Sequence, residues 1–277
     1  MSRNLVVRIA FAVVAIPAAV LIIYEGEWTL AVALAVLGVL GTREVYDLAR
    51  KQGIAPLGWL GYLAAAGIPL GIMSPYAYAW PYALAFWLMA VMIAALAARS
   101  PADKPLTAVA LTVFAPLYAS WLPAFILILR SKSISPWGGT WLVLLPLVAT
   151  WICDTAAMGA GSAIGGPKLA PVVSPKKTWA GAVGGLLGGV GATVAIGLAI
   201  FPKYGLSVGL WPLVVIGAAI GVLAQVGDVA ESLFKREAGV KDSSALIPGH
   251  GGVLDRLDSL YFVLPATAGF FWVFGVL

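Results

Sequence analysis

Residues 209–259 read GLWPLVVIGAAIGVLAQVGDVAESLFKREAGVKDSSALIPGHGGVLDRLDS. About twenty apolar residues suffice to carry a helix across a bilayer, and the run from Gly209 to Ala230 has that length and character. If the helix continues beyond Val226, then Asp228, Glu231, Ser232 and Lys235 fall at i, i+3, i+4 and i+7 and project from one face. Lys241, Asp242 and the run IPGHGG at 247–252 must stop it. Proline lacks an amide hydrogen, and glycine admits backbone shapes closed to other residues. A second helix is expected to start close to Val253 and to carry Asp255, Asp258 and Ser259 on one face at i, i+3 and i+4.

Only 10% of the residues are charged, yet residues 227–259 gather acids and bases together. Carboxylate oxygens suit Mg²⁺, which keeps waters and is shared with substrate phosphates rather than caged by protein alone. Lys235, Arg236, Lys241 and Arg256 are placed to neutralise phosphates. The plainer reading is a charged loop at a membrane surface. The repeated one-face spacing and the Gly-His-Gly-Gly turn argue against it.

The rest of the chain fixes the solvent. Of 277 residues 61% are hydrophobic, where charged residues alone make up about a quarter of a soluble protein. That much apolar surface calls for lipid. The single cysteine, Cys153, excludes an intrachain disulfide and a cysteine-based zinc site. It sits in an apolar run and reads as packing. The single histidine, His250, excludes multi-histidine metal sites and most histidine-based triads. The net charge of +5 comes without a basic stripe carrying interleaved aromatics, so nucleic acid is not expected as a partner. Lysines and arginines accumulate instead on the cytoplasmic side of membranes.

Nine apolar segments emerge, at 5–24, 28–47, 57–74, 77–98, 106–129, 139–158, 178–200, 209–230 and 256–276. The fold class is therefore all-α, a polytopic integral membrane protein with about nine transmembrane helices. The first segment contains Arg8 and no convincing small-residue cleavage site, and reads as a retained helix whose arginine snorkels to the headgroups. A cytoplasmic amino terminus puts fourteen lysines and arginines inside. Only Arg130, Lys132 and Lys203 then lie outside. This bias places residues 227–259 in the cytoplasm and the carboxyl terminus outside. Prolines within segments, including Pro116, Pro123 and Pro146, require neighbouring helices to satisfy the carbonyls they free. Arg43, Glu44 and Asp47, at the end of the second segment, read as a surface ion-pair cluster.

A second constellation occupies residues 154–185, DTAAMGAGSAIGGPKLAPVVSPKKTWAGAVGG. Asp154 follows an apolar run without an obvious local partner, and an acid at the edge of a hydrocarbon core is costly enough to be a functional candidate. Gly161 and Gly165 are four apart, a spacing typical of close helix packing. Ser174 reads as a helix cap with Pro175 at the first helical position. Free amides and the positive dipole end then join Lys176 and Lys177, a setting that attracts phosphate.

Both constellations resemble the phosphatidate cytidylyltransferase (CDP-diacylglycerol synthase) family. The first does so through Ser232-x-x-Lys235-Arg236, Lys241-Asp242, Pro248-x-His250-Gly251-Gly252 and Asp255-Arg256-x-Asp258. The second does so through Asp154-x-x-Ala157 and Ser174-Pro175-Lys176-Lys177-Thr178-x-x-Gly181. Met158 stands where the family usually has an aromatic residue, and Ala180 where it usually has a glutamate. The resemblance covers roughly residues 105–270, with the first hundred matching mainly in hydropathy. It implies an N-terminal transmembrane region, 1–100, and a catalytic region, 101–277.

The implied reaction joins CTP and phosphatidate to give CDP-diacylglycerol and pyrophosphate in phospholipid biosynthesis, with Mg²⁺ as cofactor and a second cation left open. In that reading Asp228 and Asp255 are the metal ligands. Lys235 and Asp258 complete the catalytic set, with Asp154, Glu231 and Ser232 nearby. Ser174, Lys176, Lys177, Thr178, Arg236, Lys241, His250, Gly251, Gly252 and Arg256 face substrate phosphates. The implied partners are CTP, phosphatidate, membrane lipids and a second copy of the chain. The implied place is the inner cell membrane, with the site facing the cytoplasm. A transporter or channel using Asp154 and Asp228 as intramembrane charges is the alternative. The halves show no repeated hydropathy pattern, and the acids cluster beside a basic loop instead of along a midplane path. A lipid-linked phosphotransferase is discounted too, because its Asp-Gly-x-x-Ala-Arg start is absent.

Overall fold

The computed structural model describes residues 3–131, 135–247, 249 and 251–277. In chain order the elements are α1 (Arg3–Glu25), α2 (Glu27–Lys51), α3 (Gly58–Met73), α4 (Trp80–Ala98), α5 (Pro105–Pro116), a π-helical turn (Leu117–Trp121) and α6 (Leu122–Ser131). There follow α7 (Pro136–Ile164), β1 (Lys168–Ala170), β2 (Ser174–Thr178), α8 (Trp179–Ala199), α9 (Leu210–Glu237), α10 (Leu254–Leu257) and α11 (Leu260–Val273).

Among the described residues, six stretches are long and apolar enough to cross a membrane: α2, α4, the continuous run Pro105–Ser131, α7, α8 and α9. The chain is thus a predominantly helical membrane protein, with one short hairpin, β1–β2. Nine spans are not carried over by that criterion. Helix α3 has 16 residues and α11 has 14, and at about 1.5 Å per residue α11 reaches only about 21 Å of a hydrocarbon layer about 30 Å thick. Hydropathy marks where apolar runs lie. It does not see that Asp258 and Ser259 break the last run before α11 begins.

The chain forms two compact units. One comprises Met1–Leu127 with Glu237–Arg256, the other Ile128–Arg236 with Leu257–Leu277.

In the first unit the prolines explain the packing. Pro116 has no amide hydrogen to give the carbonyl four residues back, Thr112, and the Tyr46 hydroxyl of α2 donates to that oxygen at 2.9 Å. Pro69 likewise frees the carbonyl of Ala65, which accepts from Ser120 Oγ in the π-helical turn at 2.6 Å. Both donors need space beside a neighbouring helix. A side chain on Gly61 would collide with the Tyr46 ring and hydroxyl, and one on Gly38 with Ser120. Neighbouring helices thus satisfy what proline leaves open, as lipid requires. An apolar cluster of Leu57, Leu60, Val91 and Ala95, flanked by Trp87, Val109 and Val113, packs α3, α4 and α5 together.

In the second unit, small residues let helices meet backbone to backbone. Gly181, Gly184, Gly185 and Gly188 of α8 face Ala156, Ala157, Ala160 and Cys153 of α7, and Gly189 faces Gly217 and Gly221 of α9. Cys153 is buried there, as expected of a packing residue. Gly161 fits the same pattern, 3.5 Å from Gly181 Cα for an added Cβ. Gly165 does not: it caps α7 with φ of 69°, a backbone conformation that favours glycine.

Candidate functional site

The second constellation lines one cavity of the second unit, about 560 Å³ in volume. Its wall holds Asp154, Met158, Lys176, Lys177, Gln225 and Asp228. Asp154 comes from α7, the two lysines from the β1–β2 hairpin, and Gln225 and Asp228 from α9. The glycine seam sets their spacing, because it lets α7, α8 and α9 approach without side chains between them.

The lysine run is built differently from the expectation. Ser174 is not a helix cap and Pro175 is not a first helical residue. Both lie in β2, which pairs antiparallel with β1 through Lys168–Thr178 and Ala170–Ser174. The cap is Thr178, whose Oγ1 accepts the Gly181 amide at 3.1 Å. Local sequence favours Ser-Pro as a helix start, but pairing with β1 holds residues 174–178 extended. The helix then begins four residues later. Lys176 is exposed, whereas Lys177 turns inward and its Nζ lies 2.8 Å from Asp228 Oδ2.

On α9 the expected face is present. Ser232 Oγ donates to Asp228 Oδ1 at 3.3 Å, and Glu231 and Lys235 are buried together with Lys235 Nζ 3.0 Å from Glu231 Oε1. Lys235, read from sequence as a phosphate contact, thus has a buried carboxylate as its neighbour. Arg236 is exposed and donates through Nε to the Val173 carbonyl at 3.3 Å. Gly227 brings the next acid close. A Cβ there would stand 2.6 Å from the Asp258 carbonyl oxygen, so α9 rests directly on the turn containing Asp258.

Asp255, Asp258 and Ser259 do not share one helical face. Helix α10 is four residues long, Asp258 and Ser259 form a break, and α11 starts at Leu260. The Ser259 amide donates to Asp258 Oδ1 at 2.6 Å, a local bond of the kind that competes with helix continuation. Asp258 lies outside the spanning helices. Burial first, and the nearby charge of Asp228 second, push its carboxyl up to about 7.

In the first unit, Asp255 is the centre of a buried network. Its Oδ2 accepts from the Ser243 amide at 2.8 Å, Ser243 Oγ at 2.7 Å and the Gly252 amide at 2.8 Å. Gly251 and Gly252 leave room for it: a Cβ on Gly251 would stand 2.7 Å from Asp255 Oδ2, and one on Gly252 would collide with Ser243 and Glu44. Lys241 and Arg256 are exposed. His250, Lys132 and Pro248 lie outside the described residues.

Glu44 corrects the reading of the Arg43–Asp47 cluster. Asp47 does pair on the surface, 2.6 Å from Arg50 and 3.9 Å from Arg43. Glu44 points the other way and is only 3% exposed. Its partners are about 200 positions away in sequence, which spacing on one helix cannot reveal. Gln225 was also missed. It directs Nε2 to the carbonyls of Gly221 at 2.7 Å and Ala182 at 3.1 Å, and only its place three residues before Asp228 hinted at it.

Among the described residues, no group of three or more His, Cys, Asp or Glu side chains is gathered to hold a metal ion by itself. The acids of the cavity wall are Asp154 and Asp228. One or two carboxylates are what Mg²⁺ takes from protein when substrate phosphates supply the rest, so the donor set fits that mode and not an all-protein cage.

The model of the cytidylyltransferase family matches residues 6–274. Over 160 residues the chain is 42% identical to a phosphatidate cytidylyltransferase of Brucella suis, covering 58% of this chain and 55% of that protein. It is 39% identical over 185 residues to one from Pseudomonas aeruginosa, covering 56% and 67%. With one from Synechocystis sp. it shares 30% identity over 289 residues, 93% of each chain. The matched regions span about half the length of the first of these relatives.

Proposed function

Since the chain belongs to the cytidylyltransferase family, we propose that it transfers the cytidylyl group of CTP to phosphatidate, giving CDP-diacylglycerol and pyrophosphate. The observation that carries this reading is the cavity of the second unit, where Lys177 and Asp228 pair beside Asp154 and Lys176. Cations there suit phosphate oxygens, and the carboxylates there would hold Mg²⁺, which would supply further neutralisation of phosphate charge. The likeness to proteins named phosphatidate cytidylyltransferase supplies the substrate class.

In this reading a phosphatidate oxygen attacks the α-phosphorus of CTP. The bond from the α-phosphorus to the bridging oxygen breaks, and the electron pair leaves with pyrophosphate. No covalent enzyme intermediate is needed. Rate comes from placement of the two phosphates and from charge stabilisation. Lys177 and Lys176 bind and orient the phosphate oxygens, and Asp228 aligns Lys177 through their ion pair. Mg²⁺, when bound, neutralises charge on the phosphates. In the second unit Asp228, in the cavity wall with Asp154, is the residue we assign to it, and Asp255 is a separate candidate ligand within the first unit. Asp154 and Asp258 are the further acids we place near Asp228.

The excess of lysines and arginines at the amino terminus and in the second, fourth, sixth and eighth loops between the nine apolar segments of the sequence supports a cytoplasmic amino terminus and a site facing the cytoplasm. There a soluble nucleotide and a lipid phosphate meet while the acyl chains stay in the bilayer. The experiment is direct. Purified wild-type protein is given CTP, phosphatidate and Mg²⁺, each omitted in turn. Pyrophosphate release that needs all three supports the reading, and release independent of phosphatidate contradicts it.

A further inference from the structure

Glu44 sits on α2, far in sequence from both constellations, and its carboxylate has four donors. Ser244 Oγ gives to Oε1 at 2.7 Å and the Val253 amide to the same oxygen at 3.0 Å. The Leu254 amide gives to Oε2 at 2.9 Å, and Ser243 Oγ lies 2.9 Å from that oxygen. Glu44 is 3% exposed. A buried carboxylate is costly unless hydrogen bonds replace its water, and here every bond ends on the loop 243–254 that leads into Asp255.

We propose that Glu44 is a positioning residue that fixes the 243–254 loop and, through Ser243, the carboxylate of Asp255. The link is specific. Ser243 Oγ lies 2.7 Å from Asp255 Oδ2 and 2.9 Å from Glu44 Oε2, so its single hydrogen is shared between two carboxylates. The Ser243 amide holds the same Asp255 oxygen. Movement of Glu44 therefore moves Ser243, and movement of Ser243 moves Asp255. Gly252 completes the arrangement, because a Cβ there would fill the space the Glu44 carboxylate occupies.

The two loop amides bind different Glu44 oxygens. Glutamine keeps one acceptor oxygen and turns the other position into a donor that faces an N–H, so Glu44→Gln breaks the clamp with almost no change in volume. This assignment rests on the function proposed above only where it concerns rate, and its test has two arms.

In the first arm, hydrogen exchange is followed by mass spectrometry on the full chain in detergent. Exchange in the peptide covering 243–257 is expected to rise about tenfold or more in Glu44→Gln, with peptides of α7 unchanged. Unchanged exchange at 243–257 overturns the proposal. So does an equal rise everywhere, which marks general unfolding; Ser244→Ala, which removes one bond only, is the milder variant and must show a smaller rise confined to that peptide.

In the second arm, kcat for CTP-dependent pyrophosphate release is expected to fall about tenfold or more in Glu44→Gln and in Ser243→Ala. The double variant is expected to be no slower than the slower single, because both act through Asp255. Multiplying losses overturn the proposal. A wild-type protein without this activity overturns the proposed function alone, leaving the exchange arm to decide the role of Glu44.

Discussion

Lys177 of the β1–β2 hairpin and Asp228 of α9 are 2.8 Å apart, nitrogen to oxygen, in the wall of the second unit's cavity. Neither is fully buried; 23% of the lysine side chain and 34% of the aspartate side chain are exposed. The pair remains open to a ligand, and a phosphate entering the cavity meets a cation already oriented by its partner.

Asp228→Asn removes the negative charge while keeping the shape. Activity is expected to fall at least about a hundredfold, with unchanged expression in membranes and an unchanged elution volume in detergent. Pyrophosphate release at the wild-type rate would remove Asp228 from the reacting groups.

Lys177→Ala is expected to raise KM for at least one substrate by about tenfold or more, since it removes a charge-assisted phosphate contact worth about 1.5–3 kcal/mol. Initial rates over both substrate concentrations decide it. If both KM values are unchanged, Lys177 is a membrane anchor and not a phosphate ligand.

Tyr46→Phe deletes the hydroxyl that serves the Thr112 carbonyl freed by Pro116. Leaving that buried acceptor unsatisfied is expected to cost about 1–3 kcal/mol, read as a lower thermal midpoint in detergent. Pro116→Ala restores an amide four residues beyond Thr112, so the same Tyr46→Phe change is expected to cost less in that background. Equal costs in the two backgrounds would separate the hydroxyl from the proline.

Thr178→Ala removes the side-chain cap of α8 and is expected to cost about 1 kcal/mol of stability. Ser174→Ala, at the position where the local sequence reads as a cap, is expected to cost less. The comparison of the two thermal midpoints discriminates between the strand and the helix start.

These residues also show what the sequence could convey. The helix through Asp228, Glu231, Ser232 and Lys235 was legible because an apolar run and a 3.6-residue spacing are local properties. The demand that neighbours serve the proline-freed carbonyls was legible as a rule, though not the identity of Tyr46 and Ser120 as the donors. The hairpin at 168–178 was not legible, because Ser-Pro reads locally as a helix start and only pairing with Lys168–Ala170 overrides it. Glu44 was invisible for the same kind of reason. On its own helix it stands one residue from Arg43 and three from Asp47, and nothing local reveals that its bonds go to Ser243, Ser244, Val253 and Leu254.

The most direct test uses CTP labelled at the α-phosphorus, with purified full-length protein, phosphatidate and Mg²⁺. Label is expected to enter the lipid phase in a one-to-one ratio with released pyrophosphate, and CTP labelled at the γ-phosphorus is expected to leave none there. Wild-type protein that is folded, supplied with all three components, and transfers no α-label to lipid would contradict the account.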